Sequence, residues 1–151
     1  MYIDFKNVSS NNNVTNYTRD LDLKTAIAGV NYDKGSTHYS RENFTSYPDN
    51  VIVTHITADG SEKISLDVSV EPDNSRGSAI NGIGDSSYQR TWDTTVSDGR
   101  ISINGQLTDN QMKFSSQTQV ITDNAGTVTD GDGKVSVSGA SEVTIITSMG
   151  T

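Results

Sequence analysis

The chain contains no cysteine. That excludes a disulfide framework and thiol catalysis, and it leaves the compartment open, because extracellular proteins also do without cysteine. Apolar residues are scarce. Only 32% of the chain is hydrophobic and 7% aromatic, with a single tryptophan. Leu, Ile, Val and Phe together make about a fifth of the residues, close to the range in which chains stay disordered. No apolar run approaches the roughly 20 residues of a membrane span. Basic residues are outnumbered 11 to 19, a net charge of −8. An acidic balance argues against nucleic acid or an anionic membrane as partner, since both reward Lys and Arg. The opening Met1-Tyr2-Ile3-Asp4-Phe5 lacks the basic and apolar order of a signal peptide. If the parent protein is secreted, its signal is expected outside this chain.

What remains is order of a particular kind. A length of 151 residues suits one domain able to bury a core. Ile64, Leu66, Val68 and Val70 alternate with Ser65, Asp67 and Ser69, as in a strand with one dry face. Met112, Phe114, Ser116, Thr118 and Val120 form a second such row, and Ala26, Ala28, Val30 and Tyr32 a third. Val51 to Ile56 reads as a strand covered on both sides, and Ile101/Ile103, Val135/Val137 and Val143/Ile145 mark further strands. Turn chemistry falls between them: Asp33-Lys34-Gly35, Pro48-Asp49-Asn50, Asp59-Gly60, Asp98-Gly99, Asn104-Gly105, Asn124-Ala125-Gly126 and Asp130-Gly131-Asp132-Gly133. No helical period longer than a turn or two is present. The pattern predicts an all-β, antiparallel β-sandwich forming a single domain over 1–151. Two stretches depart from it: a polar loop at Ser9–Asn13, and a long irregular loop over 72–95 that holds Tyr88 and Trp92.

Chemistry-bearing motifs are few. Neither a nucleophile elbow nor a phosphate-binding glycine loop occurs. His38 and His55 lie in separate strands without metal-ligand context, which reads as one solvated histidine and one packed on its sheet. Asp130 to Lys134 begins like a calcium loop, but the fifth, sixth and twelfth positions are Lys134, Val135 and Ser141, so a hairpin turn is expected. No cofactor is expected. Glycoside hydrolysis needs two opposed carboxylates, one with a raised pKa. Asp20, Asp22, Glu42, Asp49, Glu71, Asp85 and Asp93 are all available, yet nothing in the sequence selects a pair. Aromatic rings can serve as platforms for pyranose faces, and the candidates are Trp92 and Tyr88, then Tyr39 and Tyr47. Against this stands a plain structural role, with Trp92 plugging one end of the sandwich.

Several tracts in register carry a family likeness. Tyr17-Thr18-Arg19-Asp20-Leu21-Asp22-Leu23 followed by Thr25 to Tyr32 resembles the "YxRxLDLxxAxAxVxY" stretch of family 95 glycoside hydrolases, the α-L-fucosidase family. Tyr39 to Val53 resembles that family's "Y-x-R-E-x-F-x-S-x-P-D-x-V-x-V" run, and Gly105-Gln106-Leu107, Met112-Lys113-Phe114 and Val137 to Val143 occur in the family's order. Tyr2 to Phe5 is similar to a strand well inside the family's N-terminal β-domain. The resemblance implies part of a large β-sandwich that precedes an (α/α)6 barrel, with the inverting chemistry carried by the barrel. It implies a non-catalytic chain without the family's first strands, whose partner is the barrel of the same polypeptide and whose parent is a secreted, extracellular bacterial enzyme. An alternative is an autonomous carbohydrate-binding module for plant or fucosylated glycans, and a purely structural sandwich is a third reading.

Overall fold

The computed structural model describes residues 1–6, 13–72 and 90–151. Twelve strands form among them: β1 (Tyr2–Phe5), β2 (Val14–Asp22), β3 (Ile27–Lys34), β4 (Thr37–Ser46), β5 (Val51–Asp59), β6 (Ile64–Ser69), β7 (Arg90–Ser97), β8 (Arg100–Leu107), β9 (Lys113–Thr122), β10 (Thr127–Asp130), β11 (Lys134–Ala140) and β12 (Glu142–Gly150). They assemble into two antiparallel sheets. One has eight strands in the order β2-β3-β4-β5-β12-β9-β8-β7, the other four in the order β1-β6-β11-β10. No helix occurs among the described residues.

The core lies where the two sheets face each other. Leu66, Val68, Val135 and Val143 are fully buried, and Ile64, Ile101 and Ile145 nearly so. These are the residues whose alternation announced them. Each supplies the inward face of a period-two strand, and the polar residues between them face outward. Turns fall where Gly, Asn and Asp permit positive φ. Asp98 and Gly99 both adopt it (54° and 69°), the geometry of a two-residue hairpin between β7 and β8. Asp130 to Gly133 is likewise a hairpin turn, closed by Gly131 N donating to Lys134 O at 2.9 Å.

Three expectations need correction. The irregular stretch over 72–95 ends sooner than its sequence suggests, because residues from Arg90 onward pair along β8 from Leu107 to Arg100. As an edge strand with Thr and Asp on its outer side, β7 shows little apolar alternation, and this hid it. Residues 73–89, including Asp85 and Tyr88, lie outside the described residues, as does most of the polar loop at Ser9–Asn13. Asn104-Gly105 is the middle of β8 rather than a turn. Glycine is required there for space: a Cβ would stand 2.4 Å from the Phe114 ring and 2.6 Å from Thr91 O. Finally, β5 is covered on one face only. Thr54, Ile56 and Ala58 are buried, while Val53, His55 and Thr57 on its other face are half-buried.

The outer face of the small sheet carries one buried charge. The Asp67 side chain is 9% exposed. It accepts from Lys134 Nζ at 2.7 Å and Ser136 Oγ at 2.8 Å, and it pairs with Lys6. Burial alone would raise its pKa. The hydrogen bonds from Lys134, Lys6 and Ser136 outweigh burial and hold the carboxyl well below its ordinary value of 3.8. A carboxyl more acidic in the folded than the unfolded chain stabilises the fold above the unfolded value, and the contribution fades as pH falls below it. Asp67→Asn should therefore cost about 1–3 kcal/mol near neutral pH. Urea unfolding at about pH 7 and about pH 3 should show the gap between variant and wild type shrinking in acid; an equal gap at both would refute the assignment. Leu66→Ala, at a fully buried site, should cost about 2–5 kcal/mol, whereas Leu23→Ala, at a site 86% exposed, should leave the urea midpoint nearly unchanged.

Candidate functional site

The aromatic residues singled out by sequence do not converge on one surface. Trp92 lies on β7 at one edge of the large sheet, while Tyr39 lies on β4 and Tyr47 in the turn that follows it. Five strand spacings separate β4 from β7, roughly 24 Å at the usual interstrand distance. Tyr39 is 7% exposed and stacks on Tyr32, with ring centroids 5.1 Å apart. Its hydroxyl donates to Glu62 Oε2 at 3.2 Å, and burial beside that carboxylate pushes its pKa up to about 12. In this arrangement Tyr39 is a core side chain. Tyr47 is the opposite case, 96% exposed at the β4–β5 turn and beside a shallow pocket shared with Asn50, Ile52 and Met149.

Trp92 has the most site-like surroundings. It is half-buried and lines a polar depression of about 370 Å³ with Asp93, Asn104, Gln106 and Lys113. Gly105 also lines it, its own side-chain position being taken up by the Phe114 ring. A second depression of about 380 Å³ shares Asn104, Gly105 and Lys113 and runs on to Ser115. By register the polar side chains of the first depression, Asp93, Asn104, Gln106 and Lys113, share the outward face, while Trp92 pairs with Gly105 and so falls on the inward face with Phe114. The depression therefore offers hydrogen-bonding groups, and the indole belongs to the opposite side of β7. Gln106 is partly engaged, donating from Nε2 to Gln111 Oε1 at 2.7 Å.

The acidic residues are mostly occupied by the fold. Asp22 caps the β2–β3 turn, accepting from Lys24 N and Thr25 Oγ1 at 2.8 Å each, and these bonds lower its pKa. Asp20 projects on the same side of β2, where a Cβ on Gly29 would lie 3.0 Å from its Oδ1. Asp49 accepts from Ser46 Oγ at 2.5 Å. Among the described residues Asp22, Asp33, Glu62 and Asp67 have shifted acidity, and each is shifted downward. That is the wrong direction for the general acid of a glycosidase.

One pairing escaped the sequence reading. His38 Nδ1 lies 2.6 Å from Asp33 Oδ1, and Asn16 Nδ2 donates to Asp33 Oδ2 at 2.6 Å. The bonds from Asn16 and His38 hold Asp33 below its ordinary pKa. The signal was available, since the tight turn at Gly35-Ser36 sets Asp33 opposite His38. Asn16 was hidden, because it reaches Asp33 only through a bulge in β2 at which its φ is +52°. Among the described residues no hydroxyl bonds the other ring nitrogen of His38, so the pair has no attached nucleophile. His55 accepts or donates at Thr144 Oγ1, 3.0 Å away, and packs on its sheet as expected. No group of three or more His, Asp or Glu among the described residues is placed to hold a metal.

Comparison with known proteins adds the wider frame. The family described as "Glycosyl hydrolase family 65, N-terminal domain" matches residues 1–151. Two curated proteins are similar over shorter stretches. "Alpha-L-fucosidase 2" of Arabidopsis thaliana is 46% identical over 55 residues, 36% of this chain and 6% of that protein. "Probable alpha-fucosidase A" of Aspergillus niger is 40% identical over 48 residues, 32% of this chain and 6% of that protein. The matched stretch thus spans a small fraction of the length of either relative.

Proposed function

From the premise that this chain belongs to the glycosyl hydrolase family 65 N-terminal domain family, we propose that it serves as the non-catalytic β-sandwich of an α-L-fucosidase-like enzyme of the family 95 kind. The observation that carries the reading is the family match over the whole chain. The two fucosidase relatives and the motifs from Tyr17 to Val53 favour the fucosidase side of it. On this reading the hydrolysis, inverting by family resemblance, belongs to an (α/α)6 barrel elsewhere in the same secreted polypeptide. The sandwich packs against that barrel and lends surface to the rim of the substrate pocket. The low-pKa carboxyls fit such a role, because each is committed to a turn, a strand contact or a lysine rather than held in reserve for proton transfer.

A second reading, an autonomous carbohydrate-binding module, has one specific observation in its favour: the depression that Trp92 shares with Asp93, Asn104, Gln106 and Lys113. Hydrogen bonding of that extent, with stacking on Trp92 from the other side of the β7 edge, fits dissociation constants in the micromolar to millimolar range.

Two measurements separate these readings. The isolated chain should not turn over an aryl α-L-fucoside, and deleting residues 1–151 from the parent polypeptide should lower its thermal midpoint and activity. Turnover by the isolated chain, or a parent indifferent to the deletion, would sink the first reading. Calorimetry against fucosylated and plant glycans should show no heat under the first reading. Under the second it should show binding that Trp92→Ala abolishes; binding retained by that variant at unchanged stability removes the tryptophan platform.

A further inference from the structure

The eight-stranded sheet is twice as wide as the sheet it packs on, and the uncovered part has a sided chemistry. Cross-strand partners lie on one face of a sheet, so the inward face can be followed outward from the core. Ile56, 2% exposed, pairs with Arg41, which pairs with Val30, which pairs with Arg19. Thr54, 4% exposed, likewise leads to Asn43, Ala28 and Leu21. By the same alternation the inward positions of β2, β3 and β4 are Tyr17, Arg19 and Leu21; Ala28, Val30, Tyr32 and Lys34; and Thr37, Tyr39, Arg41, Asn43 and Thr45. None is Asp or Glu. The acids of these strands, Asp20, Asp22, Asp33 and Glu42, all occupy outward positions.

The strands themselves thus place no carboxylate on this face; Glu62, from the turn between β5 and β6, meets it at the Lys34–Tyr39 end, accepting from Lys34 Nζ at 3.0 Å and from the Tyr39 hydroxyl at 3.2 Å. Arg19 and Arg41 flank Val30, roughly 10 Å apart across two strand spacings. Neither has a carboxylate partner among the described residues, and the Nε of Arg41 is buried without a hydrogen bond. Beside them Tyr17 and Leu21 are 58% and 59% exposed. Exposed Tyr and Arg are enriched in interface cores, and Leu21 adds apolar area beside them. Charge decides what fits. A second copy would set the same two arginines against themselves, and a neutral glycan leaves both guanidinium groups without a counter-charge.

We propose that the inward face of β2, β3 and β4 docks an acidic polypeptide segment whose carboxylates alternate with apolar side chains. The carboxylates bind Arg19 and Arg41, and the apolar groups cover Leu21, Val30 and Tyr17. The inference does not depend on the fucosidase reading, since it names the chemistry of a partner and not the protein that supplies it.

The test titrates the isotopically labelled chain with a capped peptide of about ten residues, alternating Glu with Leu and Val, enough to cross the three strands. A counterpart carries Lys in place of Glu. Amide shifts of Arg19, Leu21, Val30, Arg41 and Asn43 should move with the Glu peptide at low salt. Affinity should fall about tenfold in Arg41→Gln and be lost near 1 M salt, where the screening length is about 3 Å. Arg19→Gln, at an exposed site, is the companion variant; it should weaken binding without changing the unfolding midpoint. The Lys peptide should leave the face unmoved. Absence of shifts on this face overturns the proposal, as does equal binding of the two peptides or a response centred on Trp92. If the same amides instead shift with protein concentration alone, the occupant is a second copy and the proposal fails. These outcomes are read without substrate, so they stand apart from any fucosidase assay.

Discussion

β12 is the strand on which the architecture depends. The chain leaves the small sheet where β11 ends at Ala140, and β12 enters the large one between β5 and β9, pairing with both along most of its length. Without it the large sheet would be two separate ones, β2 to β5 and β7 to β9, each held by local hairpins. The pairings it makes are long-range, Thr147 with Ile52 on one side and Val143 with Thr122 on the other. Such contacts repay their loop-closure cost only late in assembly. Its inward residues are correspondingly well used. Val143 and Ile145 are buried, and where the row turns polar Thr147 and Thr118 satisfy one another through hydroxyls 3.0 Å apart. A buried hydroxyl pair costs little when each is the other's partner.

The sparse apolar content follows from the coverage. Four strands roof only part of eight, so a deep core is needed only under that roof. The buried residues cluster there, on β5, β6, β8, β9, β11 and β12, with Tyr39 at the margin. Beyond it β2 has no buried residue at all. Its edge is protected from unwanted pairing by the bulge at Asn16 and by Arg19, Asp20 and Asp22, the usual devices on an exposed edge. The composition that places this chain near the disordered range is that of a sandwich with a small core and a broad flank.

Alternation and turn chemistry made the fold class legible, since Leu66, Val68, Val135, Val137, Val143 and Ile145 all proved to be inward residues. What they could not report was coverage. Period two tells which residues share a face but not whether another sheet lies over it, so Val53 looked doubly covered and Arg19 looked unremarkable. Glycine misled once, because Asn104-Gly105 has turn composition while its real constraint is the ring of Phe114 on the neighbouring strand. The candidate site was legible only in part. Trp92 could be named as a lone tryptophan, but the polar depression beside it joins Asp93 to Asn104, Gln106 and Lys113 from two other strands, and only register brings these together, on the face opposite the indole. The Asp33–His38 pair needed only a hairpin count, whereas the third member, Asn16, needed a bulge that no residue pattern announces.

The distribution of carboxylates bears on what kind of work the surfaces do. An acidic chain has many groups that could be recruited for proton transfer, yet those whose pKa moves are pulled toward permanent ionisation by lysines, hydroxyls, amides and backbone N–H donors. A raised pKa requires burial without such donors, and Asp67, the one buried Asp or Glu among the described residues, has three donors around it. Charge is thus spent on holding strands and turns in register. On β2, β3 and β4 the arginines Arg19 and Arg41 have no carboxylate partner among the described residues, and the acids of the same strands lie on the other face. A surface organised in that way is suited to recognising another polypeptide.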